Sequence, residues 1–165
     1  MKNENQNNGH GTMQHAGNPY KKFLFMLTIS FIIMYGIMFL NVDEANHIYL
    51  SITRAYMSIL MICAMALVMM PMMGKMYPNK RLNKIILATA FVVFVAILTF
   101  LRQQIFVGDV QYMKAMIPHH SSAIMTSKNA NIKDPEVKKL SEQIIKSQEE
   151  EITKMKAKLK ELEKD

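Results

Sequence analysis

At 165 residues the chain is long enough for a single domain, but half of it is apolar, it carries a net charge of +7, and its one cysteine is Cys63. A lone cysteine rules out an internal disulfide and any C-x-x-C redox or metal motif. The positive charge lies in short loops and on a Lys/Glu-rich C-terminal face without interleaved aromatics, which argues against a nucleic-acid partner.

Residues 1–21 are a polar lead rich in Asn, Gly, Gln and His, with almost nothing to bury, and read as a disordered cytoplasmic tail. His10, Met13 and His15 fall in it, where a solvated tail is a simpler reading than a metal site. Residues 22–103 hold three runs free of charged side chains, Phe23 to Leu40, Ala55 to Met73 and Ile85 to Leu101. Each is close to the roughly 20 residues that cross a hydrocarbon core, so three transmembrane helices in a lipid bilayer are expected. No small-x-small cleavage site follows Leu40, so the first run is read as a retained span. Lys21 and Lys22 precede the first span, and Lys75, Lys80, Arg81 and Lys84 fill the second loop. The loop from Asn41 to Tyr49 has Asp43 and Glu44 and no Lys or Arg. The positive-inside rule then places the N-terminus and the second loop in the cytoplasm and the C-terminal third outside.

Within the second span Met57, Met61, Met65, Met69, Met72 and Met76 recur every three or four residues. Such a stripe is most often adaptable packing; a soft-metal path is the rival, weakened by the lack of polar partners at the midplane. Pro71 is expected to kink or end this helix.

Residues 108–165 change character. Gly108-Asp109 offers a break and cap for a helix reaching about Asn129, and Asp134-Pro135-Glu136 a cap with proline at the first helical position of a second. The short link predicts an antiparallel hairpin, and the whole chain is expected to be all-α. Val137, Leu140, Ile144, Met155, Leu159 and Leu162 form an apolar stripe, interrupted by Gln148 and Glu151, where a carboxylate needs a partner. Met113, Met116 and His120 share a helix sector that Asp109 joins one turn earlier. Folding the hairpin about its link pairs residues whose numbers sum to about 264, placing Met113 near Glu151, Asp109 near Met155 and His120 near Ile144. Thioether and imidazole donors suit Cu(I), or Ag(I) as its mimic, far better than Mg²⁺ or Ca²⁺. The rival is a helical pair whose methionines pack and whose His120 hydrogen-bonds Glu151 or Gln148.

The run Met116-Ile-Pro-His119-His120 with Ala123-Ile124-Met125, then Asp134-Pro135-Glu136-Val137, Gln148 and Glu151-Ile152 with Met155, closely resembles the bacterial family called domain of unknown function number 305, in its form with three membrane spans. The resemblance covers roughly Gly108 to Leu162, and Met76-Tyr77-Pro78-Asn79-Lys80 resembles the membrane portion of that form. It implies a ferritin-like helical domain facing the periplasm or exterior of a bacterial cytoplasmic membrane, linked to copper binding and tolerance. Its signature residues map onto Met113, Met116, His119, His120 and Met155, with Met125, Asp109 and Glu151 in a second tier. On an ideal helix His119 lies about 100° from His120, and a kink at Pro118 is what would bring the two together.

The expected function is therefore a membrane-anchored extracytoplasmic protein that binds Cu(I), with silver or zinc as further candidates, and buffers it or hands it on, without being an enzyme. A lone hairpin buries little core, so a homodimer forming a four-helix bundle is expected. A partner-binding or structural membrane protein is the alternative. A di-iron oxidase lacks its Glu-x-x-His repeats, and a transporter would need several copies to line a path.

Overall fold

The computed structural model describes residues 18–164, so His10, Met13 and His15 lie outside the described residues. Five helices follow in chain order: α1 (Pro19–Ile37), α2 (Ile52–Met72), α3 (Lys80–Gln103), α4 (Asp109–Asn129) and α5 (Pro135–Leu162). Single 3₁₀ turns at Ala45–His47 and Gly74–Met76 interrupt the first two connections. Each of four helix starts has a side-chain cap: Asn18 accepts from the Tyr20 amide, Ser51 from Arg54, Asn79 from Leu82, and Asp134 from Glu136 and Val137. α1 opens with Pro19, so the helix begins inside what reads from sequence as tail.

Helices α1, α2 and α3 are long and apolar enough to cross a bilayer. Their outer faces carry Leu24, Phe25, Ile33, Phe91 and Val92, each more than half exposed, an apolar surface that a water-soluble monomer rarely shows. One end of this three-helix layer is fixed by Tyr20. Its hydroxyl donates to Asn83 Oδ1 at 2.9 Å and accepts from the Asn79 amide at 3.0 Å, joining the start of α1 to the α2–α3 turn. Phe23, Ala66, Met70 and Tyr77 pack there, with Met26, Met69 and Met73 against them. The methionine that is buried is therefore Met70, outside the expected stripe, whereas Met72 is 81% exposed. α2 runs through Pro71 and stops one residue later.

At the opposite end the chain turns from α3 into α4 through Gln104 and Phe106, both with positive φ. Helices α4 and α5 then form an antiparallel pair around Met113, Ile117, Ile124, Ile152 and Leu159, with Tyr49, Ile145, Met155 and Leu162 at the margin. The register differs from the expected one. His120 faces Glu151 instead of Ile144, and Ser141 donates to the Ser127 carbonyl. Ala130 and Asp134, at the two ends of the link, have extended backbone. Val137 and Leu140, assigned from sequence to the packed stripe, are 49% and 55% exposed, and Ile145, Ile152 and Leu159 take the inward face.

The connection from α1 to α2 is a strap across this hairpin. Ser121 Oγ, fully buried, accepts from the Asp43 amide at 2.8 Å and lies 2.9 Å from His47 Nδ1. Asn41 Nδ2 donates to Ser122 Oγ, Lys128 pairs with Asp43 at 2.8 Å, and Lys156 donates to Asn46 Oδ1 at 2.7 Å. The hairpin is thus seated on the membrane-length helices, not merely tethered to them.

Candidate metal centre

The expected ligands separate into groups once the helices are packed. His120 and Glu151 form the centre. His120 Nε2 lies 3.5 Å from Glu151 Oε2, while Glu151 Oε1 accepts from Ser147 Oγ at 2.9 Å one turn earlier on α5. The carboxylate is half exposed (45%), so it has the partner that its sequence position demanded without being desolvated. The imidazole is nearly buried, at 13% exposure, and its Nδ1 has no hydrogen-bond partner. Burial pushes the His120 pKa below the ordinary histidine value; Glu151 opposes that shift and His119 adds to it. The result is a neutral ring with one nitrogen directed to a carboxylate and the other buried and unpaired.

Met116 stands one helical turn before His120 on the same face and is partly buried. Met113 has another role, since it is 7% exposed and belongs to the apolar core, and Met155 packs at that core's margin. Asp109 is the first residue of α4, exposed, where its charge complements the helix dipole and not the site; the cap position is Gly108. Met125 is partly buried about one turn from the helix end, its carbonyl accepting from Asn129. α4 continues as a helix through Pro118. The rings of His119 and His120 are 6.0 Å apart at 67°, and His119 opens into a cavity shared with the hairpin ends of α1 and α2.

Among the described residues no three His, Cys, Asp or Glu side chains converge on one point. His120 and Met116 present imidazole and thioether, donor types that suit a soft ion. The unpaired buried Nδ1 of His120 is the feature that fits such an ion.

His47 was not singled out by sequence. It is 7% exposed and, like His120, is shifted down in pKa, first by burial and then by Lys156, with Glu44 and Asp43 opposing. Glu44 Oε2 lies 3.8 Å from its Nε2. With Asp43, Glu44, Glu149 and Lys156 it lines a cavity of about 300 Å³ beneath the strap. No local pattern marks it, because its partner Ser121 is 74 residues away.

An all-helical protein with three bilayer-length helices and a hairpin bearing His, Met and Glu is the class that these features define. Residues 65–159 match the family described as Domain of unknown function (DUF305), and the chain belongs to that family. The match begins inside α2, upstream of the hairpin, so the family unit takes in the last membrane-length helix. The chain is also similar to the uncharacterized protein L153 of Acanthamoeba polyphaga mimivirus, with 36% identity over 135 residues covering 80% of this chain and 87% of that one. That relative is viral. No solved structure matches.

Proposed function

We propose that this is an integral membrane protein that displays the α4–α5 hairpin outside the cytoplasm and there binds Cu(I), buffering it or passing it to other metal-handling proteins, without catalysing a reaction. The observation that carries the reading is His120. A buried imidazole with one nitrogen facing a carboxylate and the other unpaired has the pattern in which an outer carboxylate orients a ligating histidine. Its depressed pKa keeps it in the neutral form that a metal requires. Met116 supplies the adjacent thioether, with Met155 within a turn of Glu151 on the facing helix. Ag(I) shares this preference; Zn²⁺ is disfavoured by the donor types.

The orientation is supported by charge. Lys21, Lys22, Lys75, Lys80, Arg81 and Lys84 all belong to the end tied together by Tyr20, opposite the hairpin. The exposed Val137 and Leu140 offer apolar surface on which two copies could pair into a larger bundle, the ferritin-like arrangement that the resemblance implies. A packing role is favoured for Met113 by its place in the core, so the alternative of a structural or partner-binding protein draws on that residue. Anaerobic titration of the full chain in detergent with Cu(I) and Zn²⁺ against competing chelators tests the reading. Tight Cu(I) binding that outcompetes Zn²⁺ is expected, and absence of Cu(I) binding by the folded protein overturns it.

A further inference from the structure

Where α4 rests on the hairpin ends of α1 and α2, a cavity of about 290 Å³ brings together His119, Met38 and Met57. Met38 caps the end of α1, Met57 lies in the second turn of α2, and His119 projects from α4 on the side away from Glu151. These three residues come from three separate elements. The Met38 thioether is held in place by the buried Ser58, whose hydroxyl donates to it at 3.6 Å. Met57 remains 39% exposed and His119 is exposed, and both line the cavity instead of being buried as a methionine in a packed core would be.

We propose that this cavity is a second soft-metal site, in which the His119 imidazole and the Met38 and Met57 thioethers hold a monovalent Cu(I) or Ag(I) ion. An imidazole and two thioethers make a neutral, soft, three-donor set. No carboxylate lines the cavity, so nothing there compensates a second positive charge. Arg54 does line it, and its repulsion of a divalent ion would be twice that of a monovalent one. The Arg54 guanidinium is already engaged, donating to the Met38 carbonyl and lying 4.4 Å from the centre of the Phe39 ring. That engagement favours a metal over an anionic lipid headgroup, which would need the guanidinium free. The two histidine rings are neighbours, so an ion on His120 would have the second site one residue away. The proposal does not depend on the hairpin site and can fail separately from it.

The test uses the full chain in detergent or nanodiscs, with Ag(I) as probe under competition by a chelator. Two bound equivalents are expected. The double variant Met38→Leu/Met57→Leu, close in volume, should lose the second equivalent or weaken it by at least about tenfold while leaving the first unchanged. The pair Met116→Leu/His120→Gln should do the reverse. A single equivalent in wild type that the Met38/Met57 variant removes and the Met116/His120 variant keeps would retire the hairpin reading and leave this one standing. Methyl-¹³C methionine NMR of the wild-type protein gives a second readout that needs no variant to fold, because Ag(I) should shift the Met38 and Met57 methyl signals. Unshifted methyl signals, or an unaltered second equivalent in a folded double variant, overturn the proposal. So does a cavity that responds to phosphatidylglycerol nanodiscs through Arg54 and not to Ag(I).

Discussion

Replacing Glu151 separates a metal role from a packing role. Its carboxylate is half in water, so its attraction to His120 is screened and contributes within about 1 kcal/mol to stability. The bond from Ser147 adds no more than a typical exposed hydrogen bond. Sequence placement in an apolar stripe suggests that Glu151→Leu would relieve a buried charge and stabilise the fold; the observed exposure removes that gain and predicts a change of under about 1 kcal/mol either way. The effect on metal should be larger. Losing the partner that orients a ligating histidine costs about 10- to 100-fold in affinity, or about 1.4 to 2.7 kcal/mol. Glu151→Gln, which still accepts from the His120 ring N–H, should fall between wild type and Leu. It should also lower the His120 pKa further, because the carboxylate is what opposes burial there. Thermal melting, Cu(I) competition titration and an NMR titration of the imidazole on the same three proteins read all of these effects. A Leu variant that binds Cu(I) like wild type yet melts well below it would refute the reasoning and make the pair structural.

Four further outcomes follow from the same geometry. A reporter fused after Asp165 should be active only outside the cytoplasm and one at Asn79 only inside; either reversed would sink the extracytoplasmic reading. Met116→Leu/His120→Leu should abolish most Cu(I) binding at the hairpin with helicity intact by circular dichroism, and unchanged affinity would return both residues to packing. Ser121→Ala should destabilise by about 1 to 3 kcal/mol and speed amide exchange in the strap, since it strands the part-buried Asp43 amide and the buried His47 ring; an unaltered melting temperature would contradict the strap's role. Because burial holds His120 and His47 below the ordinary value of about 6.5, the unfolded chain protonates first on acidification. Stability is therefore complete above that pH and falls as the pH drops through the folded-state values; a melting temperature that rises from pH 7 to pH 5 would reverse the sign.

The helices were legible because each has a local signature. Uncharged runs mark α1 to α3, and Asp134-Pro135 marks where α5 begins. The register of the hairpin was not legible, since the apolar stripe of α5 offers neighbouring phases and the inward face takes Ile145 and Ile152 while Val137 and Leu140 stay exposed. Nor was the inward face of α2. With methionine at so many positions, the stripe had several equivalent phases, and packing against Phe23 and Tyr77 selected Met70. The strap was invisible for a different reason: Asp43 and His47 meet α4 through hydrogen bonds spanning more than 70 residues, and no periodicity encodes such pairs.

The tandem histidines show how helical phase decides what two adjacent residues of one type can face. Adjacent His119 and His120 suggest one chelate, and a break at Pro118 would have supplied it. Proline removes a hydrogen-bond donor but need not unwind a helix whose neighbours hold it, and Pro118 is fully buried between packed elements. With helical phase preserved, consecutive residues must diverge by about 100°, so one ring faces α5 and the other the membrane-length helices. Each histidine then meets a different partner set, Glu151 and Met116 for one, Met38 and Met57 for the other. The ring centres are nonetheless only 6.0 Å apart, so the tandem pair brings these two surroundings together at the boundary between the hairpin and the bilayer-length helices.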